Sequence, residues 1–136
     1  MQQDILPIAE YRLDFCTIFH RDDDIAIIEI DEGVNLDASM AQKLTDLTEH
    51  QVGNRPFALL SNRIHSYSLS FDAMAALANL PNLAALAIVI YSEKSQLLVE
   101  TQNFFISTMK KRPVKIFNNM DAAIAWLQEK LENHTT

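Results

Sequence analysis

Ala84-Ala85-Leu86-Ala87-Ile88-Val89-Ile90-Tyr91 is the stretch whose reading decides the fold. It is apolar throughout, of strand length, and closed by the polar Ser92-Glu93-Lys94-Ser95. A strand with one wet face alternates; a run without alternation is covered on both faces, as in the middle of a parallel sheet. Segments with helical periodicity lie on either side of it, so the pattern predicts an α/β architecture.

Before this strand, Tyr11, Leu13, Phe15, Thr17 and Phe19 alternate with Arg12, Asp14, Cys16, Ile18 and His20. That period predicts one half-covered edge strand. Arg21-Asp22-Asp23-Asp24 reads as a turn, and Ile25-Ala26-Ile27-Ile28-Glu29-Ile30 as a second strand. A turn this short makes the pair an antiparallel hairpin. Asp31 to Asn35 reads as a loop, and Asp37 as the cap of a helix with Leu36, Met40, Leu44 and Leu47 on one side. Gly53-Asn54 ends that helix, Pro56 blocks its continuation, and Phe57-Ala58-Leu59-Leu60 follows as a short third strand.

Ser61 to Ser70 is the most polar connection in the chain. Phe71 to Leu80 reads as a short helix closed by Pro81, with Met74 and Leu77 inward. After the central strand, Ser92 caps a helix with Leu97, Leu98, Thr101, Phe104, Phe105 and Met109 on its apolar face, and Pro113 terminates it. Val114-Lys115-Ile116-Phe117 is the last strand, and Asn118 or Asn119 caps a final helix with Met120, Ile124, Leu127 and Leu131 inward. The expectation is a five-stranded mixed sheet with about four helices in the order ββαβαβαβα. The N-terminal hairpin is antiparallel and the later strands parallel, joined by right-handed crossovers. The 136 residues fit one domain, with residues 1–10 a loose lead-in and residues 133–136 a frayed tail.

Composition narrows the partners. The formal net charge is −7, with a pI near 4.9, which argues against non-specific nucleic-acid binding. The basic cluster Lys110-Lys111-Arg112 precedes Pro113, where it favours the negative end of a helix. Cys16 is the single cysteine, so no internal disulfide forms. Residues 1–10 lack a basic region followed by an apolar stretch, and no run approaches the ~20 apolar residues of a membrane span. These features predict a cytoplasmic protein with no transmembrane segment.

Phe117-Asn118-Asn119-Met120-Asp121-Ala122-Ala123-Ile124-Ala125-Trp126-Leu127 ends a strand on phenylalanine, adds polar caps and runs into an alanine-rich helix closing on Trp-Leu. This resembles the C-terminal signature of SpoIIAA-like proteins, the STAS group of anti-sigma-factor antagonists and their relatives. The element order from Tyr11 to Leu131 agrees with that group. Ser61-Asn62-Arg63 with Ser66-Tyr67-Ser68 resembles its small bacterial members of uncharacterised role. The resemblance implies a sheet whose strand order follows the chain, helices mainly on one face, and a non-enzymatic regulatory or ligand-sensing role. In well-characterised members a serine after the third strand is phosphorylated, within an Asp-Ser-Ser-Gly-like turn. Here Ser66-Tyr67-Ser68-Leu69-Ser70-Phe71-Asp72 has neither the Asp-Ser pair nor the glycine. Ser66, Ser68 and Ser70 are the phosphorylation candidates, and Ser70 is the nearest positional match. The Sec14-like side of the group implies instead a carrier of a small apolar or phosphate-bearing ligand.

In open α/β sheets, ligands lie beyond the carboxyl ends of parallel strands. That rule gathers Asn62, Arg63, His65, Ser66, Tyr67, Ser70, Ser92, Lys94 and Asn118 into a candidate partner- or ligand-binding surface. Arg63 and Lys94 would join helix N-termini in holding an anion, against the opposing charges of Asp31, Glu32 and Glu93. Tyr67 on a polar loop suits a partner interface, or folds back onto the sheet edge. No catalytic set is expected: His65 and Ser66 are sequence neighbours without an orienting acid or a glycine-flanked elbow. No metal and no cofactor are expected either, because His20, His50, His65 and His134 share no ligand spacing. Asp22-Asp23-Asp24 lacks the glycine of a calcium loop and reads as a solvated turn. Finally, with helices on one face, the second sheet face would need cover from the N-terminal segment, an apolar ligand or a second subunit, which points to a homodimer.

Overall fold

The computed structural model describes residues 9–65, 67–78, 80–91 and 112–134. Chain order is β1 (Ala9–Leu13), β2 (Cys16–His20), β3 (Ile25–Ile30), β4 (Asn35–Leu36) and α1 (Ala38–Val52). Then come β5 (Phe57–Arg63), β6 (Ser68–Leu69), α2 (Phe71–Ala78), β7 (Leu83–Ile90), β8 (Val114–Phe117) and α3 (Met120–His134). The main sheet has the order β1-β2-β3-β5-β7-β8, antiparallel from β1 to β3 and parallel from β3 to β8. Strand order follows the chain. The mixed sheet of parallel and antiparallel strands flanked by helices is the α/β class the sequence predicts, with six strands where five were expected.

The extra strand comes from splitting Tyr11 to His20. Leu13 pairs with Cys16, so Asp14 and Phe15 form a two-residue turn and β1 folds back on β2. Such turns usually need positive φ, hence glycine or asparagine. Neither Asp14 nor Phe15 has a positive φ, so nothing in the composition marks the reversal. The alternation shifts by one residue there: Tyr11 and Leu13 share a face with Cys16, Ile18 and His20, not with Thr17 and Phe19 as the sequence pattern predicts. Strand β1 begins at Ala9, inside the expected lead-in, and α3 keeps Asn133 and His134 helical. The predicted helix after Ser92 lies outside the described residues.

The central strand behaves as its sequence dictates: every residue of β7 is buried. Its neighbours β5 and β3 alternate, and the alternation divides the core. Ala26, Ile28, Leu59, Leu86 and Ile88 face α1 and α2, together with Ala41, Leu44 and Ala73. Ile25, Ile27, Ala58, Leu60, Ala85, Ala87 and Val89 face α3, meeting Met120, Ala123, Ile124 and Leu127. Helices therefore cover both faces, not mainly one. The C-terminal helix supplies the cover that the sequence reading sought in the N-terminal segment, a ligand or a second subunit, and the packing argument for a dimer falls away.

Caps and turns follow from side-chain chemistry. The Asp37 carboxylate accepts from Met40 N at 3.0 Å, and Gly53, at φ 63°, closes α1 by donating to Glu49 O at 2.9 Å. Leu36, expected on the helix, belongs instead to β4. Asn119 rather than Asn118 caps α3, accepting from Ala122 N at 2.8 Å. The aspartate turn is cross-linked rather than merely solvated. Asp23 accepts from Arg21 at 2.9 Å and from Gln128 of α3 at 3.0 Å. Asp24 takes a positive φ of 63°, accepts from Arg55 at 3.0 Å, and offers its carbonyl to Ala58 N at 3.0 Å. Burial alone raises the Asp23 pKa, but hydrogen bonds from Arg21 and Gln128 hold it below the usual carboxylate range.

His20 is buried among the residues facing α1. Its ring meets Tyr11 edge-on at 5.6 Å, and its Nε2 has no hydrogen-bond partner. Burial pushes its pKa down, so the neutral ring is the folded form.

Two outcomes follow. The unfolded chain binds a proton at His20 near pH 6.5 and the folded chain only below that. Stability is therefore fully present above about pH 6.5 and falls as the pH drops toward the lowered value. Urea midpoints at about pH 7.5 and 5.5 should differ for the wild type and differ less for His20→Phe. If α3 seals the second face, Leu127→Ala should cost about 2–5 kcal/mol in urea unfolding, the same range expected for Leu59→Ala on the first face.

Candidate functional site

Strand β5 runs on through Ser61, Asn62 and Arg63, residues the sequence reading placed in a loop. Parallel pairing imposes this: Ser61, Asn62 and Arg63 pair with Ile88, Val89 and Ile90 of β7. Pleating then sends Asn62 to the α3 side and Ser61 with Arg63 to the α1–α2 side. The carboxyl end of the sheet thus carries two polar groupings, one on each face.

On the α3 side, Asn62 is only 5% exposed and uses both ends of its amide. Its Nδ2 donates to Glu29 Oε2 at 2.9 Å, and its Oδ1 accepts from the Tyr91 hydroxyl at 2.6 Å. Each of β3, β5 and β7 contributes one polar residue at or just past its carboxyl end. An amide this deeply buried must be paired, and here it is. Asn62 is therefore a bridge between strands and not a loop residue open to a ligand.

On the other side, Tyr67 is folded inward at 8% exposed, the second of the two placements considered for it. Its hydroxyl lies 3.2 Å from Ser61 Oγ. The Arg63 guanidinium stacks on its ring, 4.2 Å from the centroid, and donates to its carbonyl at 3.2 Å. These three residues border a cavity of about 30 Å³ whose other walls are aliphatic, from Ile28 and Ile30 of β3 to Leu86 and Ile88 of β7. Leu36 and Leu69 roof it from the small parallel sheet β4–β6. That strap is tied by Ser68 N to Val34 O at 2.9 Å, Ser70 N to Leu36 O at 3.0 Å, and the Ser68 hydroxyl donating to Asn35 Oδ1.

The remaining candidates scatter. His65 is exposed, with Nδ1 3.9 Å from Glu32 Oε1. Ser70 caps α2, its Oγ accepting from Ala73 N at 3.1 Å. Asn118 accepts from the Asn119 side chain at 3.1 Å. Ser66, Ser92 and Lys94 lie outside the described residues. Asp31 is held by a bidentate pair with Arg12, and that hydrogen bond keeps its carboxyl below the usual range. Cys16 is fully buried, and desolvation pushes its thiol up to about 12, which leaves it protonated and unreactive at neutral pH. Among the described residues no group of three His, Cys, Asp or Glu side chains is placed to hold a metal ion. No helix among them is long and apolar enough to cross a membrane.

The sequence reading missed Glu29, Ser61 and Tyr91. A signal for them exists: each is a polar group at the end of an otherwise apolar strand.

Residues 19–131 match the family model described as a domain of unknown function, DUF7793. The chain belongs to this family. Among solved structures, this DUF7793 member is similar to an uncharacterised DUF3478-family protein with a SpoIIAA-like fold from Shewanella loihica PV-4. The two are 20% identical, the match covers 82% of this chain and 91% of that one, and the TM-score is 0.53. Identity that low shows the fold alone, and the fold is the SpoIIAA-like one that the C-terminal signature predicts. No curated protein matches.

Because the Asn62 amide is buried and bonded at both ends, Asn62→Ala should destabilise the DUF7793 domain by about 1–3 kcal/mol by removing its hydrogen bonds to Glu29 and Tyr91. A double-mutant cycle of Asn62→Ala with Tyr91→Phe should return a coupling of at least about 0.5 kcal/mol. Purely additive effects would mean that the bridge carries no energy.

Proposed function

We propose that this chain is a regulatory protein-interaction module of the SpoIIAA-like type, acting without enzymatic chemistry. Its working surface is the carboxyl end of the parallel strands. The observation that carries this reading is where large apolar side chains are exposed. Among the described residues these are Ile64 at 47%, Phe71 at 70% and Tyr91 at 51%. Ile64 directly follows β5, Tyr91 directly follows β7, and Phe71 opens α2 beside the strap. All three lie at one end of the sheet. Single exposed apolar residues are ordinary, but their gathering at one end is what a partner surface requires. Aromatic side chains there are the type that dominates interface energetics.

A carrier of a lipid-sized apolar ligand is less well supported. A volume of about 30 Å³ is close to what one water occupies in the liquid, far below an acyl chain.

The test is affinity capture from cells of the native host with wild type, Ile64→Asp and Phe71→Asp, followed by binding measurements on whatever the wild type retains. Each variant should weaken a retained partner by about tenfold or more. Surface positions like these should shift stability by no more than about 0.5 kcal/mol. Equal retention by all three proteins would refute the reading.

A further inference from the structure

The chain has a net charge of −7, yet five of its eleven Lys and Arg residues fall between Lys110 and Lys130, against only Asp121 and Glu129 on the acidic side. Two of the five belong to described elements with no counter-ion. Arg12, Arg21 and Arg55 each pair with an aspartate, whereas Lys115 of β8 and Lys130 of α3 form no ion pair among the described residues. Both stand over aromatic rings instead. The Lys115 ammonium lies 5.4 Å from the centroid of Phe117, and that of Lys130 5.6 Å from Trp126. The two rings meet each other at 5.6 Å. Pleating puts Lys115 and Phe117 on the α3 face of β8, and Trp126 and Lys130 are one turn apart on the flank of α3 that meets them. Gln128, which reaches Asp23, shares the opposite flank with Asp121 and Glu132 by helical spacing. Glu129, exposed and three residues after Trp126, is the acidic residue of α3 nearest the lysines.

The backbone beside this cluster is open. Strand β8 is the last of the sheet and pairs with β7 alone. Leu86 N donates to Pro113 O. In a parallel ladder of that register, Lys115 and Phe117 turn their backbone groups toward β7, and Val114 and Ile116 turn theirs outward. No described residue bonds to that outer edge. An edge of this kind is a template for one more strand.

Charge decides what the strand carries. The side chains of an added strand alternate between faces, so every second one falls beside Lys115, Phe117 and Lys130. An ammonium above a ring keeps N–H donors for a carboxylate. Antiparallel pairing of β8 with a second copy of this chain would bring two Lys115 side chains together on one face, where like charges repel. Lysine on an edge strand also guards against such pairing, but that role leaves Lys130, on the helix, without a reason. We propose that the outer edge of β8 receives an extended acidic segment of a partner protein. Its main chain pairs with Val114 and Ile116, and alternate carboxylates meet Lys115 and Lys130. This surface shares no residue with the exposed apolar group assigned above to a partner, and either assignment can fail without the other.

The experiment titrates the full chain, at constant ionic strength, with an eight-residue peptide alternating threonine and glutamate. Trp126 is the single tryptophan, so its fluorescence reads this site directly, and amide NMR shifts locate the contact. A saturable change at Trp126 is expected, with shifts centred on Val114 to Phe117. Replacing every glutamate by glutamine should weaken binding about fivefold or more, and Lys115→Gln or Lys130→Gln should each weaken it about two- to fivefold without moving the urea midpoint. A strand pairs through alternate residues, so of two peptides N-methylated at alternate positions one should bind about tenfold more weakly and the other lose much less. These peptide comparisons use the wild-type protein and hold even if a lysine variant does not fold. Equal binding of the glutamate and glutamine peptides overturns the proposal, as does equal binding of both methylated versions and the parent, or no saturable change up to millimolar peptide. Vesicles of phosphatidylserine that change Trp126 fluorescence while the peptide does not would mark a membrane surface and also overturn it.

Discussion

The parallel pairing of β5 with β7 is the constraint on which the rest depends. Six residues of β5 keep one register with β7, from Ala58 against Ala85 to Arg63 against Ile90, and Phe57 pairs with Leu83 across a one-residue shift. Both strands are covered on both faces for most of that length, so neither tolerates a polar side chain until its carboxyl end. Alternation then acts as a sorting rule. Once Leu59 faces α1, Ser61 and Arg63 must face the same way and Asn62 the opposite way. A one-residue slip would put Arg63 against α3 and Asn62 over the cavity. The hydrophobic register of Ala58, Leu59 and Leu60 therefore also fixes which chemistry appears on which side.

Much of the fold was legible because it rests on local signals. β3 and β8 begin and end where their sequences say, and β7 is displaced by a single residue. The caps at Asp37 and Gly53 follow from side-chain and backbone preferences at single positions. What was not legible has non-local causes. The turn at Asp14-Phe15 carries no glycine or asparagine, and the one-residue phase shift it makes is hidden because Phe15, Cys16, Ile18 and Phe19 offer apolar side chains to either phase, so one long strand and two short ones look alike in sequence. The reach of β5 to Arg63 is decided by its neighbour: β7 is long enough to pair with it, and that overrides the polar character of Ser61-Asn62-Arg63. Which face α3 covers depends on the handedness and length of the connection before it, and its own amphipathic stripe says only that it covers one.

The candidate site was half legible for the same reason. Of the residues expected at the strand ends, Arg63 and Tyr67 do meet there. Asn62 was named from its type, but burial converted it from a ligand-facing amide into a bridge. Its partners Glu29 and Tyr91 come from strands that are distant in sequence. Glu29 is the one charge in Ile25-Ala26-Ile27-Ile28-Glu29-Ile30, and a carboxylate in such a run asks for a donor. The run itself does not say that the donor is an amide 33 positions away.

The two ends of the parallel strands differ in how firmly they are held. At the amino end, Asp24 is bonded through its carboxylate to Arg55 and through its carbonyl to Ala58, and Asp23 is bonded to Arg21 and Gln128. At the carboxyl end, the cover over the cavity is a ladder of two residues per strand, and its side-chain tie runs between two exposed residues. So short a ladder contributes little by itself; the burial of Leu36 and the partial burial of Leu69 hold the strap down. Local opening free energies track such differences in buried apolar contact and in exposed hydrogen bonding. The strap is thus the part of the described structure expected to open first, and it lies at the same end as Ile64, Phe71 and Tyr91. Rigid at one end and lightly closed at the other, the sheet concentrates its exposed apolar side chains and its least costly rearrangement in one place.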